Sequence, residues 1–254
     1  MNLQVALLGA AALLAITGAA LLSRRRTGAG RALAAAALAV LLALISYRWW
    51  LTGHPPLFGT LESDVADGAA LLVAALWLSR RAAPFVTAGA AALGGALPLR
   101  GLAHGLNMFP LTISERSLWI DLHAPLGYAA FACLAVAALE AGRLVVSRAQ
   151  EEETGRLSAS LLWGFLFVTA LMVTGIWYSG ILFGAFWRWD PVESLALAAW
   201  LSLGTLAHAR LFFGWSERRI AGWVLAAFAL ALVLFKGLVY LPGGATYHVF
   251  DLRL

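Results

Sequence analysis

An all-α fold, a polytopic integral membrane helical bundle of about eight transmembrane helices, is what the 254-residue sequence predicts. Three observations carry that prediction. Hydrophobic residues make up 62% of the chain and charged ones 12%, with a mean hydropathy of +0.83, whereas about a quarter of the residues of a soluble domain are charged. The apolar residues are gathered into eight runs, and a helical span of a bilayer takes roughly 20 residues, which leaves little chain for a folded soluble domain. The basic residues sit in short clusters at the ends of those runs, which is the pattern of membrane topology rather than of nucleic-acid binding, despite a formal charge of +5.

The runs lie approximately at 3–22, 32–51, 64–79, 84–99, 119–140, 158–181, 193–213 and 220–241. The first has no basic residue before it and Arg24, Arg25 and Arg26 behind it, the reverse of a secretory signal peptide, so it is read as a retained span with its N-terminus outside. The second opens after Arg31 and closes before the loop "TGHPPLFGTLES". The third and fourth are short and rich in Gly and Ala, with Arg80 and Arg81 between them. The fifth is followed by the stretch Arg143 to Arg156, the sixth by an aromatic segment, the seventh by Arg218 and Arg219, and the eighth by residues 242–254. With Arg24 to Arg31 inside, alternation puts Arg80, Arg81, Arg143, Arg148, Arg156, Arg218 and Arg219 on the same side. Counting Arg210, twelve of the eighteen basic residues then fall inside, which supports the number of spans and their orientation. Segments 52–63, 100–118, 182–192 and 242–254 are then external, and both termini lie outside. The lone cysteine, Cys133, sits in an apolar run, so it can build neither a disulfide framework nor an intrachain attachment for a cofactor, and it reads as a small buried hydrophobe.

The segment "GILFGAFWRWDPVESLALAAW", residues 180 to 200, concentrates Trp187, Arg188, Trp189 and Asp190 in a chain that is otherwise largely Ala and Leu. Asp190, Pro191 and Glu193 have the form of a helix start, with Asp at the N-cap, proline at the first helical position and an acid two residues further on that reaches back. Tryptophan at a span end is often an interfacial anchor. Phe183, Phe186, Trp187 and Trp189 within seven residues nevertheless make more aromatic surface than anchoring requires, and such a surface suits a flat hydrophobic ligand with a polar edge.

Depth sorts the five histidines, His54, His104, His123, His208 and His248. His123 lies a few residues into the fifth run and His248 just beyond the eighth, both at the level of the tryptophan segment. Two imidazoles facing each other across an aromatic floor are what bis-histidine ligation of a haem iron requires. His208 lies about 20 Å down the seventh helix at 1.5 Å per residue, and an ionisable group at that depth is a functional candidate. His104, in a Gly-rich loop, reads as a solvated surface residue.

These residues resemble the CcsA family, also called ResC, the haem-handling membrane proteins of system II cytochrome c maturation, which share a tryptophan-rich "WWD" segment. "FGAFWRWDPVESLALAAWL" is similar to the family pattern WGxYWxWDPKETWxxxTWL. "SLWIDLHAPLGYAAFA" looks like the segment holding the first external histidine, which falls on His123, and "GLVYLPGGATYHVF" like the one holding the second, which falls on His248. "TLAHARLF" resembles the element YLHxR and puts the intramembrane histidine on His208, and the 52–63 loop resembles SGHxPLxNxYES, in which no ligand role is assigned to the residue matching His54. Val192, Ser194 and Leu195 stand where the family usually has lysine, threonine and tryptophan.

The resemblance implies a single CcsA-like transmembrane domain over residues 1–254, with an external WWD segment at about 180–193, in a bacterial inner or thylakoid-like membrane. It implies a cytochrome c synthase (haem lyase) subunit acting with a CcsB/ResB-type partner and carrying haem b non-covalently as cargo. Haem would enter from the cytoplasmic side at a site including His208, pass to an external site of Trp187, Trp189 and Asp190, and be held there between His123 and His248 while the CxxCH thiols of apocytochrome c are joined to it. Arg188 or Lys236 is a candidate to meet a haem propionate. No catalytic residue is assignable beyond those that hold haem. The alternatives are a haem-delivery protein of the CcmC type, for which six spans and no counterpart of His208 are expected; a quinol-oxidising cytochrome b, which places pairs of histidines within the bilayer; and a polytopic transporter without bound haem.

Overall fold

The computed structural model describes residues 2–79, 81–108, 111, 116–146, 155–237 and 246, and among them the protein is helical without strands. Eight α-helices follow one another: α1 (Leu3–Ser23), α2 (Thr27–Thr52), α3 (Thr60–Leu78), α4 (Pro84–Leu102), α5 (Leu118–Val146), α6 (Gly155–Phe183), α7 (Pro191–Phe212) and α8 (Glu217–Leu232), the last running on into a π-helical turn, Val233–Gly237. Each of the eight apolar runs is thus a helix. Seven of the helices are long and apolar enough to cross a bilayer, α8 being counted with its π turn. The exception is α3. It starts four residues before the apolar run does and takes Glu62, Asp64 and Asp67 into its first turns.

The helices fall into two compact units, Met1–Pro110 and Leu111–Leu254. In the first, α1 packs on α2 and α4, and α3 on α4 and α2. Small residues set these approaches: a Cβ on Gly68 of α3 would come within 2.7 Å of the Gly94 carbonyl of α4, and one on Gly30 of α2 within 3.0 Å of the Gly18 carbonyl of α1. Backbones this close gain dispersion contacts that apolar side chains of ordinary size would prevent. The acids of α3 are answered inside the same unit. Arg48 of α2, 2% exposed, donates to Glu62 of α3 and Gln4 of α1 and to the carbonyls of Asn107 at 3.2 Å and Leu106 at 3.4 Å. Arg100 of α4 donates to Asp64 Oδ1 at 2.8 Å. A helix with three acids therefore packs into an apolar unit with two of them, Glu62 and Asp64, met by basic residues of its neighbours.

In the second unit, α5 lies along α6 and α8, and α7 against α6 and α8. The core is built from Ala and Leu: Ala130, Leu134 and Ala137 of α5 meet Leu161 and Val168 of α6, Leu203 and Leu206 of α7, and Ala221 and Val224 of α8. Trp200 of α7 stacks on Phe165 of α6 with centroids 5.6 Å apart, and its Nε1 donates to Thr169 Oγ1 at 2.9 Å, so a large, partly buried ring has its polar atom satisfied. Cys133 lies in α5 as a free, partly buried thiol.

Candidate functional site

The α6–α7 connection is built from the start of α7 backwards. Asp190 is the N-cap: its carboxylate accepts from Val192 N at 2.8 Å, Pro191 follows as the first helical residue, and Glu193 completes a capping box. This is the helix start that the sequence predicts. Glu193 does more than cap. Its Oε2 accepts from the backbone N–H of Asp190 at 3.3 Å and of Arg188 at 2.7 Å, the two residues flanking Trp189. Amides converge on an anion in this way where a left-handed residue follows a right-handed one, and Trp189 has φ of 56°, unusual for so bulky a residue. The turn leaves the Trp189 side chain 72% exposed.

The four aromatics of this segment divide their tasks. Trp187 meets Trp189 edge to face with centroids 5.9 Å apart, and the Trp187 Nε1 is buried without a hydrogen-bond partner among the described residues. Phe186 instead lies over Gly180 of α6, where a Cβ would come within 2.5 Å of its ring, and reaches Trp177 of α6 at 6.4 Å. Trp177 in turn meets Trp119 of α5 at 5.8 Å. Phe183 carries the Arg188 guanidinium at 4.5 Å from its centroid. Ser179 Oγ ties the end of α6 to the Ala185 carbonyl at 2.8 Å.

His123 is the sixth residue of α5, one turn after Trp119, so the line Trp119, Trp177, Phe186 joins its helical turn to the loop. The ring is partly buried against α6, with Nδ1 3.1 Å from Thr174 Oγ1. His248 lies outside the described residues. Thr246, two positions before it in the sequence, donates its hydroxyl to Asp190 Oδ1 at 2.8 Å. His208 stands apart. It is one turn from the C-terminal end of α7, exposed, with its ring tilted against Phe212 at 4.7 Å, about 25 Å along the helix from Pro191 at 1.5 Å per residue. Lys236, in the π turn, lies 5.0 Å from the Phe131 ring centroid. His54 lies in the first unit, where its Nδ1 donates to the Pro55 carbonyl at 3.0 Å. Among the described residues, no cluster of three or more His, Cys, Asp and Glu side chains is arranged to hold a metal ion, whereas axial ligation of a haem needs only two imidazoles.

Trp119, Trp177, Thr174 and Thr246 escape sequence reasoning. Trp119 and His123 are four apart and Thr174 and Trp177 three apart, which places each pair on one helix face, but which helix faces which is not written in either interval.

The sequence model of the "Cytochrome C assembly protein" family matches residues 7–241. "Cytochrome c biogenesis protein CcsA" of Synechococcus sp. (strain CC9605) is 27% identical over 257 residues, covering 85% of this chain and 84% of its own length. The protein of the same description from Prochlorococcus marinus (strain MIT 9303) is 26% identical over 255 residues, covering 81% of this chain and 79% of its own. Among solved structures, "Cytochrome c Heme Lyase CcmF" superposes with a TM-score of 0.72 at 22% identity, over 92% of this chain and 46% of that one, so the chain spans about half the length of that protein and shares its fold. With a match that begins within α1 and runs through the other seven helices and the α6–α7 loop, the chain belongs to the cytochrome C assembly protein family.

Proposed function

We propose that this integral membrane protein of cytochrome c assembly carries haem b to an external site at the 180–193 segment and holds it there for attachment to apocytochrome c. In this reading residues 1–254 act as one CcsA-like domain in a bacterial inner or thylakoid-like membrane, with that segment on the periplasmic or lumenal side and a CcsB/ResB-type subunit as partner. The observation that carries it is the hydrogen bond from Thr246 to Asp190, which ties the segment leading to His248 to the same loop whose aromatic line reaches the turn of His123. His123 and His248 supply the axial imidazoles, Trp187 and Trp189 the aromatic faces, and Asp190 the brace between the loop and the His248 segment. Exposure of His208 on α7 favours a membrane site completed by a ligand from outside this chain, as the partner reading requires.

The attachment reaction adds each CxxCH thiol across a vinyl C=C. Sulfur bonds to the carbon next to the ring, the thiol hydrogen ends on the terminal carbon, and no net electrons are exchanged. The protein contributes position: fixing thiols against vinyls replaces a bimolecular encounter by an oriented one.

The test is an absorption spectrum of the chain purified with its partner, beside His123→Ala and His248→Ala. Loss of the haem b spectrum in either variant is expected; full retention in both removes the bis-histidine site. Covalent haem on a co-expressed apocytochrome c reports the second step, and its absence with the partner present leaves transport or delivery alone. His208→Ala is expected to lower haem occupancy at the membrane site more than at the external one.

A further inference from the structure

Thr174 has one hydroxyl hydrogen and three polar neighbours. Its Oγ1 lies 2.9 Å from the carbonyl of Ala170, 2.9 Å from that of Leu171, and 3.1 Å from His123 Nδ1. Both carbonyls only accept, and both lie one helical turn back along α6, where a threonine hydroxyl in a helix ordinarily donates. With its hydrogen directed there, the oxygen faces His123 with a lone pair, and the contact becomes a hydrogen bond only if Nδ1 carries the imidazole hydrogen. Gly175 fixes the ring's attitude. A Cβ at that position would lie 2.9 Å from His123 Cε1, 3.3 Å from Nδ1 and 3.9 Å from Nε2, so the ring is pressed against α6 at Cε1, with Nδ1 the nearer of its two nitrogens.

We infer that Thr174 is a positioning residue, which with Gly175 holds His123 in the Nδ1–H tautomer and puts the ring's lone pair on Nε2, the nitrogen offered to iron. The inference rests on His123 being a haem ligand, and adds which nitrogen binds and what selects it. Histidines that bind metals generally give their other N–H to an oxygen acceptor, which fixes the tautomer and raises the basicity of the ligating nitrogen. Here a neutral hydroxyl, itself anchored to backbone, fills that place.

The first test needs no haem. In the wild-type protein with labelled histidine, 15N NMR of the His123 ring, identified by its loss in His123→Ala, is expected to show Nδ1 protonated and Nε2 not; the reverse overturns the inference. The second titrates haemin into the full chain in detergent. Thr174→Val, which keeps shape and removes the acceptor, is expected to weaken binding about 10-fold or more and to move the potential of bound haem to more positive values. Thr174→Ser is expected to restore both, and Gly175→Ala to weaken binding by displacing the ring. Wild-type affinity and potential in Thr174→Val, with binding lost in His123→Ala, reject the positioning role while the ligand stands. Wild-type binding in His123→Ala rejects the ligand itself.

Discussion

The Arg48 cluster and the 180–193 loop spend polar and aromatic side chains in opposite ways. Around Arg48, groups from α1, α2 and α3 and two backbone carbonyls close on one guanidinium that is 2% exposed. Every contact of that hub is internal, and its result is three helices and the segment after α4 held together. In the loop, the bonds of Asp190, Glu193 and Thr246 and that of Ser179 to the Ala185 carbonyl make a frame, while Trp189 is turned outward at 72% exposure and Phe186, resting on α6, keeps 60%. Buried charge paired within a unit marks structure, whereas a frame presenting aromatic rings marks a place prepared for something else.

The contrast can be broken at either end. The largest effect is expected at Arg48→Met, which takes the buried guanidinium from the Glu62 carboxylate: about 3–5 kcal/mol of stability is lost, as for other buried pairs with one member removed. Thermal or denaturant unfolding in detergent measures this, and haem bound per folded molecule should stay unchanged. Gly180→Ala comes next. Its new methyl occupies the space of Phe186, and overpacking of this kind costs about 1–3 kcal/mol; here loosening of Phe186 from Trp177 should also lower haem affinity. Asp190→Ala removes the cap of α7 and the acceptor of Thr246, a stability loss of about 1 kcal/mol for the cap. Its effect on haem binding should exceed what that loss explains, because the His248 segment loses its tether. A binding defect in Arg48→Met as large as in Asp190→Ala would erase the distinction between the two regions.

What the sequence made legible divides along the same line. All eight helices are visible as apolar runs because a bilayer demands length and hydropathy, both linear properties of the chain. The start of α7 is visible because a capping box is a local pattern, complete within Asp190 to Glu193. The early start of α3 is hidden, since the apolar run begins only at Asp64 and the acids become tolerable only through Arg48 and Arg100 on other helices. Thr174 is hidden for the same reason: a threonine within an apolar helix gains meaning only from the histidine of α5 opposite it. The four aromatics read as one surface prove to be divided between a Trp187–Trp189 pair and rings committed to α6 and Arg188, because the sequence gives their number and not their directions.

One residue records the balance between these demands. A chain shaped only for endurance would have glycine at position 189, where φ of 56° suits a residue without a side chain. Holding a tryptophan there costs about 1–3 kcal/mol. Trp189→Gly is therefore expected to make the protein slightly more stable, by about 1 kcal/mol once the greater freedom of the unfolded glycine is subtracted, and at the same time less able to retain haem. A variant that gains robustness while losing its task would identify that turn as a compromise in which durability was given up for work.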